Sequence, residues 1–403
     1  MLKLLFISNV MDKKSYEKLY NDRTIRRIEP SQKFFDLFVN GIVDNDIDMT
    51  CISIKPIYYA IYKKLFIKKE FVEINDKLKY YYLDFINYPL FKQISIYCNI
   101  KKVIKKWIKE NKNSEKVIVV DPMLVEATNM TIKIAKKYNV KVVSFVTDVP
   151  CLTFSVSGKL KFLKKYYLDI SNRDLEKFDA HILLTDEMNT LFNKDNKPNL
   201  LIESIVPYDI DKKTYDNSDE RIKTFIVMYA GKLHEKFGAK NLVDAMALIQ
   251  NKDIEMWIYG DGDSVEYIKD KSLKDTRIKY FGVVPVQEIE NTIRKVSLLI
   301  NPRPVSNEFT KYSFPSKTVE YMMSNTPFAS TKLEGIPKEY FDYIIPIEND
   351  NSEGIADEIL SIYKNDYDDY IQKAKRAKEY VLEKKNNIVQ GEKIYKFLLK
   401  VCK

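Results

Sequence analysis

The stretch EFTKYSFPSKTVEYMM at 308–323 carries a cation and an anion at helical spacing. Pro315 is typical of a first helical turn, where its missing N–H costs nothing and the free amides that follow attract anions. Lys317 adds a full positive charge there, and Ser316 adds a hydroxyl. Glu320 lies three residues after Lys317 and four after Ser316, which places it beside them on the helix surface. There its carboxylate can accept hydrogen bonds from a vicinal diol. The stretch predicts a site for phosphate plus ribose; the alternative is a Lys317–Glu320 ion pair on a solvated face.

Glycines and lysines end two other predicted strands. Gly231 follows the run TFIVMYA, and Lys232 and Lys236 come shortly after it. Gly260 and Gly262 lie in YGDGD, after the run IEMWI. A glycine lets the backbone approach a ligand, and a lysine is a point charge suited to phosphate. The alternative is an ordinary turn with solvated lysines.

Arg303 ends a third predicted strand, VSLLINP. A guanidinium at a strand end is well placed to bind phosphate through two parallel hydrogen bonds. A nicotinamide dinucleotide is disfavoured, because Val265 stands where the GxGxxG fingerprint needs its third glycine. These strand ends favour a phosphorylated ligand of another kind.

Apolar runs alternating with amphipathic segments organise the chain into two halves. The first half includes KLLFISNV, MTCISIK, KVIVVD and KVVSFVTD, and the second includes TFIVMYAGK, IEMWIYGDG, RIKYFGVV and KVSLLINPR. Near-continuous Val, Ile and Phe are typical of parallel strands covered on both faces. We therefore predict an α/β protein with two Rossmann-like, doubly wound domains at 1–208 and 220–385, which bind their ligand in the cleft between them at the carboxyl ends of the strands.

Two segments lie outside these series. The polar stretch 206–223 has no apolar periodicity and is interpreted as a linker. QGEKIYKFLLKVC at 390–402 predicts an amphipathic terminal helix within about 386–403. Its pattern leaves two positions open, on the second domain or back on the first.

The chain is basic, with 66 Lys and Arg against 57 Asp and Glu, a formal charge of +9. Nucleic acid, an anionic membrane face and a phosphorylated small molecule are the three partners that fit this charge. The four cysteines at 51, 98, 151 and 402 lack the CxxC spacing of a zinc site, and they are interpreted as reduced thiols of a cytoplasmic protein. No run reaches the 18 apolar residues of a membrane span.

Two basic aromatic segments suggest a peripheral membrane contact, at the inner face of the cell membrane. They are YYAIYKKLFIKKEF at 58–71 and GKLKFLKKYY at 158–167. As amphipathic helices, both would lie apolar face down with their lysines at anionic headgroups. The alternative is a pair of ordinary helices with solvated lysines. Nucleic acid is disfavoured as a partner, because no nucleic-acid motif accompanies the charge.

The second half resembles the nucleotide-sugar domain of the retaining glycosyltransferases of group 1, family four, which have the GT-B fold. The motifs that carry the resemblance are Gly231-Lys232, the Gly260 and Gly262 pair, YFGVVP at 280–285 and YSFPSKTVEYMMSNTPFAST at 312–331. The likeness covers about residues 220–345. It implies a nucleoside diphosphate sugar as the donor.

The resemblance assigns roles to single residues and also shows departures. Glu320 corresponds to the second glutamate of the family's E-x7-E motif, which holds the donor ribose, whereas the first glutamate is replaced by Tyr312. Glu308 takes that place only if its loop folds back. Lys232 stands at the family's arginine position, and Phe237 at that of its phosphate-binding lysine.

The pyrophosphate charge must then come from elsewhere. By this reasoning Lys236, Arg303 and Lys317 supply the clamp, and Ser313 and Phe314 belong to the same donor-binding stretch.

In the first domain, Asp148 follows the strand FVTDVP at a place where the family often has His-Asp. It is our candidate for orienting or deprotonating an acceptor hydroxyl, and a helix cap or loop aspartate is the alternative. The loop SNVMDKKS at 8–15 replaces the family's glycine-rich loop. His181 and His234 are the only histidines, and His181, inside an apolar run, is interpreted as structural.

The sequence thus predicts a metal-independent, cofactor-free retaining glycosyltransferase of surface polysaccharide biosynthesis, with a hexosyltransferase-like activity. Its acceptor is expected to be a glycan or a lipid-linked sugar. DGD at 261–263 is the nearest approach to an acidic DxD pair at a strand end, but Gly260 and Gly262 explain it better, so lysines and Arg303 would stabilise the leaving diphosphate. The alternatives are a nucleotide-sugar epimerase of the same fold and an inactive sugar-nucleotide or membrane-binding module.

Overall fold

The computed structural model describes residues 2–20, 30–149, 161–209 and 222–403. The chain divides into two compact units, Met1–Ile205 with Asn386–Lys403, and Val206–Lys385. Each unit is built around its own parallel sheet and apolar core. Cys151 and residues 158–160, the start of the second basic aromatic segment, lie outside the described ranges.

The first unit is a mixed layer structure around a largely parallel sheet. Its strands are β1 (Lys3–Ser8), β2 (Asp48–Ser53), β3 (Phe66–Ile67), β4 (Glu70–Glu73), β5 (Leu78–Tyr82), β6 (Phe85–Ile86), β7 (Lys116–Val120), β8 (Lys141–Val146), β9 (Ala180–Leu183) and β10 (Asn199–Leu201). Its first helices are α1 (Lys13–Tyr20), α2 (Pro30–Asp44), α3 (Phe91–Glu110), α4 (Val125–Tyr138), α5 (Lys161–Leu175) and α6 (Asp186–Phe192). Eight strands form one sheet in the order β10-β9-β8-β7-β1-β2-β5-β4, antiparallel only at the β4–β5 edge, and β3 pairs with β6 alone.

The second unit has a six-stranded, fully parallel sheet. Its strands are β11 (Phe225–Lys232), β12 (Ile254–Asp261), β13 (Ile278–Gly282), β14 (Leu298–Asn301), β15 (Phe328–Thr331) and β16 (Ile345–Ile347). Its helices are α7 (Ala239–Leu248), α8 (Val265–Lys274), α9 (Val286–Thr292), α10 (Lys317–Met322), α11 (Ser352–Lys364) and α12 (Tyr367–Lys384), and the chain ends with α13 (Asn387–Cys402). Short 3-10 turns cover Glu235–Phe237, Glu308–Tyr312 and Lys338–Asp342.

The strand order of the second sheet is β13-β12-β11-β14-β15-β16, so the direction of winding reverses between β11 and β14. Doubly wound sheets bind their ligands at this switch point, outside the carboxyl ends of the strands. The predicted α/β class with two Rossmann-like domains is confirmed.

Helix α13 packs on α2 of the first unit. Its Ile394 and Leu398 are buried in that unit's core. The two helices approach closely through glycines: a Cβ on Gly41 would lie 2.1 Å from the Asn387 carbonyl oxygen, and one on Gly391 would lie 2.2 Å from the Gly41 carbonyl oxygen. The last residues of the chain thus complete the core that the first residues begin.

The basic aromatic segment 58–71 is not a helix, so the sequence interpretation was wrong on this point. It forms a turn at 59–61, then β3 and the start of β4. Phe66 in β3 pairs with Ile86 in β6, a partner twenty residues away that local periodicity cannot show. Within the described ranges, no helix is long and apolar enough to cross a bilayer.

His181 lies in β9 and is fully buried. Its Nδ1 lies 2.7 Å from the Ser144 hydroxyl. Burial lowers the pKa of His181 from its ordinary value of 6.5 to about 4, and the charge of Lys197 adds to this effect. The ring is therefore neutral in the folded protein at neutral pH.

This burial predicts that stability falls in mild acid. Because the folded-state pKa is below the unfolded one, the unfolded chain takes up the proton first as the pH falls. The contribution of the neutral ring is present above about pH 6.5 and is lost as the pH falls towards 4. We expect the urea midpoint to fall over this range and the fall to be shallower in His181→Gln. An identical pH dependence in the two proteins would contradict this account.

Candidate active site

The carboxyl edge of the second sheet is built from closely packed backbone where β11 and β12 end. Gly231 is in register with Gly260, which has a φ of 127°. A Cβ on Gly260 would lie 1.8 Å from the Gly231 carbonyl oxygen, and one on Gly262 would lie 2.3 Å from the Leu233 carbonyl oxygen. The need for glycine at 260 and 262 is thus explained by packing inside the unit.

Lys317 is the cation brought to this edge. It is half-buried, and its Cε lies 3.1 Å from the position of a Cβ on Gly231. The helix that carries it is fixed to β11 by Tyr321, whose hydroxyl accepts from the Ala230 amide at 3.1 Å and donates to the Ala230 carbonyl at 3.3 Å. Tyr321, which is buried one turn after Lys317, therefore holds Lys317 at the switch point.

Helix α10 is shorter than the sequence predicted. It begins at Lys317 rather than at Pro315 and has six residues, with Ser316 before it exposed. Pro315 contributes a turn, in which its carbonyl accepts the Thr318 amide at 2.8 Å. A helix of less than two turns sums few peptide dipoles, so the side-chain charges are the larger attraction for an anion.

Glu320 lies on the less buried face of α10. Thr318, Val319, Tyr321 and Met322 are buried in the unit, whereas Glu320 is half-buried. The carboxylate therefore lies one turn from Lys317 on a face that solvent reaches.

Arg303 is the second cation near this edge. Its guanidinium lies over the ring of Phe237, 4.8 Å from the centroid, and 5.7 Å from that of Phe309. Its Nε and Nη1 are buried and form no hydrogen bond with any described residue. Burial lowers the pKa of Arg303, which nevertheless stays charged. A buried charged donor without a partner is costly, so these nitrogens are suited to an anionic ligand.

Tyr229 links the two cations. Its hydroxyl lies 3.0 Å from the position of a Cβ on Gly231 and donates to the Lys232 carbonyl at 3.1 Å. Burial raises the pKa of Tyr229 to about 12, and the charge of Arg303 opposes this shift. Arg303 and Lys317 thus both lie near the end of β11.

An aromatic pair supports the cations, a feature that the sequence reasoning missed. Phe237 and Phe309 meet edge to face with centroids 5.7 Å apart. The Lys236 ammonium lies 5.3 Å from the Phe237 centroid and 5.6 Å from that of Phe309. Gly238, at φ 81°, brings this turn against Pro302, because a Cβ there would lie 1.9 Å from the Pro302 carbonyl oxygen. Phe237 stands where the family has its phosphate-binding lysine. This replacement was the signal in the sequence for such an aromatic support, because an aromatic ring can hold a cation over its face.

Other predicted donor-binding residues have mixed surroundings. Lys232 and Lys236 are exposed, and Ser313 is half-buried. The Phe314 side chain is in the core, 5.4 Å from the Tyr340 ring centroid, so a ligand would meet only its backbone. Glu308 is exposed at the start of its 3-10 turn.

His234 is paired with Asp263 across the two loops after β11 and β12, with 2.9 Å between Nδ1 and Oδ2. The hydrogen bond from His234 lowers the pKa of Asp263. No group of three His, Cys, Asp or Glu side chains suited to a metal ion occurs among the described residues.

Asp148 belongs to the first unit and lies two residues after the end of β8. Its side chain is exposed at the carboxyl end of that strand. This is the edge at which a parallel sheet presents ligand-binding groups, so Asp148 stays the candidate on this unit.

Comparisons with known proteins agree with this architecture. The family model of the group 1 glycosyl transferases matches residues 224–365, and that of the glucosyltransferase 3-like N-terminal domain matches residues 63–202. No curated protein sequence matches the chain.

Several solved structures share the fold. Sucrose-phosphate synthase from Thermosynechococcus elongatus superposes with a TM-score of 0.66 at 12% identity, over 99% of each chain. HepE from Anabaena, in complex with UDP-glucose, gives a TM-score of 0.61 at 14% identity over 99% of each chain. Trehalose-6-phosphate synthase from Burkholderia multivorans gives 0.66 at 10% identity, over 100% of this chain and 97% of that chain.

The matched domain and the fold together define the class as a glycosyltransferase of the GT-B fold, as the sequence predicted. Within that class, residues 224–365 of the second unit match the group 1 glycosyl transferase family model.

Proposed function

We propose that this enzyme is a retaining glycosyltransferase that moves a sugar from a nucleoside diphosphate sugar to a glycan or lipid-linked acceptor. The reaction would take place in the cytoplasm, in surface polysaccharide biosynthesis. The retaining outcome and the acceptor class follow from the family resemblance of the motifs at 280–285 and 312–331.

One observation carries the donor assignment: Arg303 and Lys317 both lie near the end of β11. Arg303 brings two buried guanidinium nitrogens that have no hydrogen-bond partner among the described residues, and Lys317 lies beside Gly231 at the switch point. A diphosphate supplies the two negative groups and the acceptor oxygens that such a site needs.

The proposed roles follow from these positions. Arg303 and Lys317, with Lys236, would hold the diphosphate and stabilise the charge that grows on it as the sugar leaves. Glu320 would accept hydrogen bonds from the ribose diol. Asp148 would orient or deprotonate the acceptor hydroxyl. This set of cations performs the charge stabilisation that a metal ion provides in other transferases, so we propose a metal-independent reaction.

The solved structures of HepE support a nucleotide-sugar donor, because that protein was crystallised with UDP and with UDP-glucose. Uridine nucleotides are therefore the first donors to test with this chain.

A thermal-shift screen tests the donor class directly. We expect UDP, GDP or ADP to raise the melting temperature, since a ligand at 100 times its dissociation constant stabilises the folded state by about 2.7 kcal/mol. The matched nucleosides and inorganic pyrophosphate are the controls, because each carries only half of the proposed contacts. Slow release of nucleoside diphosphate from the cognate sugar donor should accompany binding.

Three results would contradict the proposal. No shift with any nucleoside diphosphate would remove the donor site. Tight binding with no release and no transfer would identify an inactive module. Conversion of the donor sugar without release of the diphosphate would identify an epimerase.

A further inference from the structure

The first unit exposes a group of large apolar side chains in one small region. Their exposed fractions run from 47% for Tyr88 to 65% for Leu90. The group, called the apolar patch below, comprises Tyr58, Phe66, Tyr88, Leu90, Phe91 and Ile94. Scattered apolar residues are normal on a surface, but a clustered set of this size is typical of an interaction site.

The patch is held together by contacts between two segments of the chain. The strand pair β3–β6 sets Phe66 opposite Ile86. The Tyr88 ring lies 5.3 Å from the Tyr59 ring and 6.4 Å from the Phe91 ring, centroid to centroid. The patch is therefore a built surface that joins the turn at 59–61, β3 and the start of α3.

Leu90 is the most exposed member of the patch and has an unusual backbone. Its φ is 66° and its ψ is −47°, and the Phe91 amide donates to the Pro89 carbonyl at 2.9 Å, so Leu90 is the central residue of a strained γ-turn. It precedes α3 and directs an apolar side chain to solvent rather than into a core. Such strain tends to persist where it serves a site, which agrees with a role for Leu90 in binding.

Lysines dominate the charges around the patch, and the carboxylates at its margins are Glu70, Asp84 and Glu126. Residues 57–69 and 85–105 contain no Asp or Glu, and they contain the lysines at 63, 64, 68, 69, 92, 101, 102 and 105. Lys63, Lys64, Lys68 and Lys69 are exposed. This excess of lysine favours an occupant that combines apolar groups with negative charge.

Helix α3 repeats this arrangement along one face. Phe91, Ile94, Cys98 and Lys101 follow at spacings of three and four residues, and all four are exposed. The face is apolar in the first two turns and basic beyond them. Helices that lie in a membrane interface have this division between a buried apolar part and lysines at the headgroups.

We propose that the apolar patch docks this protein on an anionic lipid bilayer, with the patch in the interfacial region and the surrounding lysines at the headgroups. A second copy of the chain fits less well, because the same lysines would face each other across the contact. The proposal concerns the first unit alone and does not depend on the donor site.

Flotation of the full chain with lipid vesicles tests it. We expect binding to phosphatidylcholine vesicles that contain phosphatidylglycerol, and weaker binding to phosphatidylcholine alone. The triple variant Leu90→Asn, Phe91→Gln, Ile94→Gln should bind about tenfold or more weakly, since three exposed side chains lose their apolar contact with the bilayer. All three side chains are exposed, so their replacement by polar ones should leave the fold intact.

Leu273→Gln is the matched control. Leu273 is 86% exposed on α8 of the second unit, outside the patch, and its replacement should leave vesicle binding unchanged. A quadruple change of Lys63, Lys64, Lys68 and Lys69 to Gln should remove the preference for anionic vesicles. Added salt should weaken the binding of the wild-type protein.

Each remaining outcome overturns the proposal. Wild-type protein that binds neither vesicle, or a triple variant that binds as well as the wild type, shows that the patch does not dock on lipid. A concentration-dependent dimer that the triple variant abolishes, without vesicle binding, assigns the patch to a second copy. The nucleoside diphosphate thermal shift should be the same in all these variants, which separates this test from that of the donor site.

Discussion

Arg303→Ala and Lys317→Ala should each lower the rate of diphosphate release about 10²–10³-fold, the loss seen when one preorganised group that stabilises a developing charge is removed. The dissociation constant of the donor should change less. Both cations lie near the end of β11, where the proposed function would have negative charge grow on the leaving diphosphate. An interaction that strengthens towards the transition state contributes more to turnover than to ground-state binding. Steady-state and single-turnover rates with the cognate donor measure the difference.

Two controls make this test specific. Lys252→Ala removes an exposed cation just before β12, at the opposite edge of the same sheet, and should leave turnover unchanged. EDTA should also have little effect. Loss of activity on chelation, together with full turnover in both alanine variants, would show that a metal carries the charge.

Glu320→Gln should weaken donor binding by about 1.5–3 kcal/mol, the usual value of a hydrogen bond to a charged group. This corresponds to roughly 10- to 150-fold in the dissociation constant. The fold should be unaffected, because Glu320 is half-buried and lies off the buried face of α10 formed by Thr318, Val319, Tyr321 and Met322. Calorimetric titration with the nucleoside diphosphate provides the measurement.

A deoxyribose donor sharpens the result. If Glu320 binds the ribose diol, the 2′-deoxy nucleotide should lose affinity for the wild-type protein and much less for Glu320→Gln. Glu266→Gln, an exposed change on α8, is the matched control. Equal affinities for wild type and Glu320→Gln would remove Glu320 from the site.

Much of the second unit was readable from the sequence because its strands are near-continuous apolar runs. β11, β12 and β14 lie where TFIVMYAGK, IEMWIYGDG and KVSLLINPR predicted them. Such runs predict where each strand ends. Because parallel strands run in one direction, all of their carboxyl ends lie at the same edge of the sheet. That reasoning was sufficient to bring Gly231 and Arg303 to the same edge.

The start of α10 was harder to predict. Pro315 is compatible with a first helical turn, but here it only forms a turn that precedes the helix. The preference of proline for the first turn is local, whereas the helix position is set by Tyr321, which hydrogen-bonds to Ala230 on β11. A contact across ninety residues leaves no trace in local spacing.

Two other features also depend on distant partners. The stacking of Arg303 on Phe237 joins a strand end to a loop 66 residues earlier, so local spacing did not show that the two residues meet. The segment at 58–71 was interpreted as a helix because lysines and aromatic residues alternate there in a pattern compatible with either structure. Its pairing with β6 decided the outcome.

The position of α13 has a consequence for the order of folding during synthesis. The first unit needs Ile394 and Leu398 to close its core, and these residues leave the ribosome after the whole second unit. The second unit is continuous in the chain and has all its strands available earlier. Domains usually fold as they emerge, from the amino terminus onward. Here the unit that is synthesised first must wait for the last helix, so a released chain truncated after residue 385 should hold a protease-resistant second unit and an incompletely packed first one.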